Sequence, residues 1–109
     1  MIKVLESIHI LDMLKSNEDR YLFSLIQQGN KDALVKLFEK YYRHLSRLAF
    51  CLTKNKKIAD DIVIDVFTML WENREILDYD KPVSYYLFTL TYSKGDIYME
   101  NNFPRSPFY

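Results

Sequence analysis

The run Lys54-Asn55-Lys56-Lys57-Ile58-Ala59-Asp60-Asp61-Ile62-Val63-Ile64-Asp65-Val66-Phe67-Thr68-Met69-Leu70-Trp71 decides how the chain is read. At helical period, Ile58, Ile62, Val66 and Leu70 form one apolar line, and Ala59, Val63 and Phe67 widen it. Asp60, Asp61, Asp65 and Thr68 fall on the other face. Ile64 lies among those carboxylates, outside the apolar line. A helix face that is acidic at its edges and apolar at its centre suits docking on a basic partner: the acids steer the approach, and the apolar side chain contributes buried area.

Working outward, this helix belongs to an all-α chain. Only two Gly and three Pro occur in 109 residues, and every Pro lies at or beyond position 82. Apolar residues make up 49% of the chain, enough for a core in one domain of this length. On the N-terminal side, Asn30 caps a long helix from Lys31 to about Leu52. Its apolar positions Leu34, Leu37, Phe38, Tyr41, Leu45, Leu48, Ala49 and Leu52 follow the i, i+3, i+4, i+7 rule. A shorter helix precedes it, capped at Ser16 or Asn17 and stopped at Gly29. On the C-terminal side, Arg74 to Lys81 reads as a loop. Pro82 then opens a last helix that reaches about Met99, with Gly95 weakening its end. The expected architecture is a compact bundle of three principal helices plus a shorter N-terminal helix. Residues 1–16 form an arm or short helix, 17–100 the helical domain and 101–109 an irregular tail.

Net charge is zero but segregated. Lys31 to Lys57 holds eight basic and two acidic residues, whereas Ile58 to Asp80 holds seven acidic and one basic. Lys36, Lys40, Arg43 and Arg47 stack on one face of the long helix and are candidate phosphate contacts, with a solvated face as the plainer reading. In the last helix, Tyr85, Thr89 and Tyr92 fall away from the core positions Leu87 and Leu90 and suit stacking against unpaired bases. Arg74, Asp78, Tyr79 and Lys81 in the preceding loop add polar and aromatic groups for base edges. Tyr86 reads as core.

Several classes find no support. The carboxylates Asp60, Asp61 and Asp65 come from one helix without a converging second segment, which is a poor metal cage. His9 and His44 are isolated from any nucleophile, and no phosphate loop is present, so no catalysis and no cofactor are expected. The lone Cys51 lies in an apolar stretch and reads as a buried thiol. No apolar run approaches the ~20 residues of a membrane span, and Glu6 and Asp12 interrupt any signal-peptide core; a cytoplasmic location is expected.

In order, the segments resemble region 2 of the sigma-70 family of transcription initiation factors, with the extracytoplasmic-function (ECF) group as the nearest pattern. The resemblance is carried by Leu25-Ile26-Gln27-Gln28-Gly29-Asn30-Lys31-Asp32-Ala33, Leu37-Phe38-Glu39-Lys40-Tyr41-Tyr42, Ala59 to Phe67, Leu70-Trp71-Glu72-Asn73-Arg74, Lys81-Pro82 and Tyr86-Leu87-Phe88-Thr89. It implies that Asp61, Ile64 and Asp65, with Asp60 and Thr68, bind the β′ clamp helices of core RNA polymerase. It also implies that the loop and last helix capture the single-stranded non-template strand of the promoter −10 element, and it admits an anti-sigma factor as a further partner. The pattern departs from the family at Ile64, where Gln is usual, and at Tyr92-Ser93, where a basic residue and Asn are usual. The sequence ending at Tyr109 has no room for the −35-reading region 4, and the expectation is a chain lacking that domain. The alternative function is a truncated helical adaptor or regulator that binds polymerase without reading DNA.

Overall fold

The computed structural model describes residues 17–77 and 80–103. Among them are four helices and no strand: α1 (17–27), α2 (Lys31–Thr53), α3 (Lys56–Glu72) and α4 (Val83–Asn102). The expected arm or short helix over residues 1–16, Asp78, Tyr79 and the tail from 104 lie outside the described residues.

The breaks are made by local chemistry. Gly29 adopts φ 91° after α1, a conformation that costs a residue without Cβ little. Asn30 then accepts a hydrogen bond from the Ala33 N–H at 3.0 Å, satisfying one orphan donor of α2. Asn55 does the same for α3, accepting from the Ile58 N–H at 3.0 Å. Between these helices Lys54 takes the left-handed conformation at φ 58° and donates its N–H to the Phe50 carbonyl. A two-residue turn thus reverses the chain, and α3 runs back along α2. Pro82 stands at the N-cap of α4, one residue before the helical run, and α4 extends through Asn102, past the expected stop near Met99.

The core lies where all four helices meet. Ile26, Leu37, Leu45, Ala49, Val63, Val66, Leu70 and Leu87 have no solvent exposure. On α4 the buried residues Val83, Leu87, Thr91 and Gly95 recur every four positions, one ridge facing the other helices. Thr91 meets the requirement for a buried hydroxyl by donating to the Leu87 carbonyl at 2.7 Å.

Gly95 is where the sequence reading needs correction. Its weak helix propensity is real, but a Cβ there would stand 2.7 Å from Leu52 Cδ1 and 3.0 Å from Leu52 Cβ. The missing side chain lets α4 approach α2. Gly95→Ala gains about 1 kcal/mol in helix propensity, which offsets part of the clash. Gly95→Val has no such margin and is expected to lose about 2–3 kcal/mol by overpacking. Thermal denaturation should show the loss, and Leu52→Ala in the same chain should recover part of it.

A second correction concerns Cys51, which is exposed rather than buried. It follows Phe50, itself 47% exposed, on the outer side of α2.

Candidate functional site

The α2–α3 side carries the first candidate surface. Ile64 is 55% exposed, flanked on α3 by exposed Asp61, Asp65 and Thr68. Beside it, Leu34, Val35 and Phe38 of α2 and Phe67, Thr68 and Trp71 of α3 line an apolar groove of about 310 Å³. Two of its aromatic residues meet edge-on, Phe38 and Phe67 at 5.1 Å between ring centroids, and Phe38 also packs in a tilted arrangement on Tyr42 at 5.3 Å. Val35, 53% exposed, belongs to this surface and was not identified from sequence. The signal was available, because Val35 is an apolar residue off the core stripe of its helix, the same anomaly that singled out Ile64.

The carboxylates divide by role. Asp60 turns to α2, accepting from the Tyr42 hydroxyl at 2.7 Å and the Ser46 hydroxyl at 3.0 Å. Those two donors, Tyr42 foremost, hold its pKa below the ordinary carboxylate value, and the same bond raises that of Tyr42. Asp60 is therefore a strut between helices rather than a member of the outward surface with Asp61. Asp65 pairs with Lys94 of α4 at 2.5 Å. Thr68 returns its hydroxyl to the Ile64 carbonyl at 2.9 Å.

The second surface lies on α4. Lys81, Tyr85 and Thr89 join Phe23, Leu77, Pro82, Val83, Tyr86, Leu90 and Ser93 around a cavity of about 380 Å³. That size falls within the roughly 300–1,000 Å³ of small-ligand sites. The Lys81 ammonium stands 5.1 Å from the Tyr85 ring centroid, a cation–π contact that orients both. Tyr85 and Tyr92 are 55% and 53% exposed, and Tyr92 stands outside the cavity lining. Tyr86 is half-buried, and burial raises its pKa. Ser93 continues the i+4 line of Tyr85 and Thr89 and was within reach of helical arithmetic. Phe23 comes from α1, and no local pattern connects it to α4.

Two expected nucleic-acid residues are engaged elsewhere. Arg74 folds back onto Trp71, its guanidinium 4.1 Å from the ring centroid and donating to the Trp71 carbonyl at 2.8 Å. Gln27 fastens the same segment by donating to the Arg74 carbonyl at 2.7 Å. Lys40 pairs with Asp19 at 2.6 Å and with Glu18 at 3.5 Å. Asp19 also accepts from the Tyr41 hydroxyl; burial first, then that bond, pushes the Tyr41 pKa far up. Lys40 thus ties α1 to α2, which takes it out of the basic stripe, while Lys36, Arg43 and Arg47 remain exposed. Arg43 and Arg47 share a shallow groove of about 590 Å³ with Tyr42, Phe50, Cys51 and Lys56.

Among the described residues no cluster of His, Cys, Asp or Glu could hold a metal ion. No helix among them is long and apolar enough to cross a membrane. What the geometry offers is two candidate surfaces, one lined by α2 and α3 and one centred on α4.

Comparison with known proteins bears on which partners these surfaces meet. No characterised protein and no solved structure gives a significant match. The family model for Sigma-70 region 2 matches residues 37–94, just over half of the chain. The matched span takes in most of α2, all of α3 and α4 as far as Lys94, the helices that form the groove and much of the cavity wall. The chain belongs to the sigma-70 region 2 family, whose domains bind RNA polymerase and take part in promoter melting.

Proposed function

We propose that this chain is an ECF-type initiation factor domain that docks on the β′ clamp helices of core polymerase through Asp61, Ile64, Asp65 and Thr68. In this reading, Lys81, Tyr85, Thr89 and Tyr92 receive unpaired bases of the −10 non-template strand. The observation that carries it is Ile64: a large apolar side chain, 55% exposed, set between carboxylates beside an apolar groove. A lone exposed apolar residue is ordinary, but Ile64 is continuous with Val35 and the groove, and a contiguous apolar patch rimmed by polar groups is what marks an interaction surface. The α4 cavity supports the second half. Its aromatic and apolar walls suit a base face, and the Thr89 and Ser93 hydroxyls with Lys81 suit base edges. Melting then proceeds because flipped bases are held on the protein.

A second reading, a helical adaptor or regulator that binds polymerase without reading DNA, is favoured by one finding. Lys40 is paired with Asp19 and Arg74 lies folded on Trp71, so two of the expected DNA contacts are held within the bundle. Fluorescence anisotropy with a single-stranded −10-type oligonucleotide, at low and high salt, separates the two. The DNA-reading account expects salt-sensitive binding that Tyr85→Ala weakens by roughly 1–3 kcal/mol, the loss of one stacked base. Absence of binding, with clamp binding intact, establishes the adaptor reading instead.

A further inference from the structure

The aromatic residues that α4 leaves in solvent share one side. Tyr85, Phe88, Tyr92, Met99 and Phe103 follow one another at steps of three, four or seven residues. At 3.6 residues per turn those steps keep them within about 60° of each other around the helix axis. All but Met99 are exposed, Phe103 by 62%, and Phe88 remains so although it meets Tyr41 of α2 edge-on. The stripe lies beside the buried ridge of Val83, Leu87, Thr91 and Gly95, outside the core. Its ends carry opposite charge. Lys81 stands at the start, its ammonium over the Tyr85 ring, with Asp80 before it outside the helix. Asp96 and Glu100 flank the stripe toward its end. Lys94, the remaining charged residue of α4, points away to Asp65 of α3. This order runs against the helix macrodipole, which favours acids at the N-terminus and cations at the C-terminus; α4 has no acid in its first turn and no base in its last. The order therefore disfavours the isolated helix.

From these features we infer that the outer side of α4 is a self-association face, and that its occupant is a second copy of this chain lying antiparallel to the first. A twofold contact needs one patch that complements itself. The stripe does so when the two helices run in opposite directions about an axis near Leu90 and Thr91. Phe88 then meets the partner's Tyr92, Tyr85 the partner's Asp96, and Lys81 the partner's Glu100, because each of these pairs is centred on the same point of the helix. The Lys81 ammonium, held over Tyr85, comes beside both acids of the second copy. A parallel arrangement would set Lys81 against Lys81 and acid against acid, so charge selects the direction. Antiparallel packing also brings the acids of each helix beside the positive end of the other. Pairing covers Tyr85 and Tyr92, the rings proposed above for unpaired bases, so a paired chain has that face closed. The pairing is argued from α4 itself and stands or falls apart from the polymerase and DNA readings.

The test is sedimentation velocity on the full chain, in reducing buffer so that exposed Cys51 does not cross-link copies. Between about 1 and 300 µM the mean mass should rise from that of one chain toward that of two. Tyr92→Glu should weaken pairing at least about tenfold. Its melting temperature should stay at the wild-type value, because the side chain is exposed. Lys81→Glu and Asp96→Lys/Glu100→Lys each place like charges together and should each weaken self-association about tenfold near 0.1 M salt. Mixed in equal amounts, these two variants should pair with one another, since every end contact then joins opposite charges. The mass of one chain at every concentration overturns the inference. So does a dimer that Tyr92→Glu leaves intact, because the pairing surface is then elsewhere. Failure of the two charge variants to pair in the mixture, with the unmodified chain dimeric, overturns the antiparallel arrangement and the inference with it.

Discussion

Replacing Asp19 by Ala is expected to cost about 3 kcal/mol of stability, the largest effect of any polar substitution considered. Asp19 is 5% exposed and sits at the α1–α2 junction. It accepts from the Lys40 ammonium at 2.6 Å and from the Tyr41 hydroxyl. Removing one member of a buried pair leaves the other charge without its partner, typically at about 3–5 kcal/mol. Glu18, 3.5 Å from Lys40 but largely solvated, holds the loss to the low end of that range. For a domain of this size the melting temperature should fall by about 12 °C or more. Asp19→Asn keeps an acceptor in place and should lose less. A melting temperature within a degree or two of wild type for Asp19→Ala would mean that this contact does not hold α1 on the bundle.

Ile64→Glu is expected to leave the fold intact and weaken binding to the clamp fragment at least about a hundredfold, or roughly 2.7 kcal/mol. Burying an isoleucine contributes about 1.5–3 kcal/mol. The glutamate removes that gain and brings another charge into an interface that excludes water. Because Ile64 is 55% exposed in the free chain, the same change should shift stability by no more than about 0.5 kcal/mol. That separation between stability and affinity identifies a contact residue. Titration calorimetry together with thermal melts measures both; affinity within about threefold of wild type would remove Ile64 from the interface.

The parts of the fold legible in the sequence were those settled within a few residues. Asn30 caps α2 as expected, because an N-cap needs only the next turn to act, and Asn55 caps α3 by the same local bond. The stripe Ala59, Ile62, Val63, Val66, Phe67 and Leu70 is buried, because a helix of regular period has one way to face a core. What sequence concealed was set by distant neighbours. Lys40 looked like one member of a basic stripe until Asp19, on another helix, came within 2.6 Å. Arg74 looked available until Trp71 offered it a ring face. Gly95 looked like a weak point because propensity carries no knowledge of Leu52. Cys51 looked buried because an apolar run does not reveal which of its members face out. For the candidate site, Ile64 and Thr68 could be read from one helix, but the groove they border needed Val35 and Phe38 from another.

The most direct test of the central claim maps the contact on the unmodified protein. The isotope-labelled chain is titrated with unlabelled β′ clamp fragment and followed by amide chemical shifts. The account predicts shifts concentrated at Asp61, Ile64, Asp65 and Thr68 on α3 and at Val35 on α2, with the outer face of α4 around Tyr85 and Tyr92 unmoved. Shifts confined to α4, or none at saturating fragment, would contradict it.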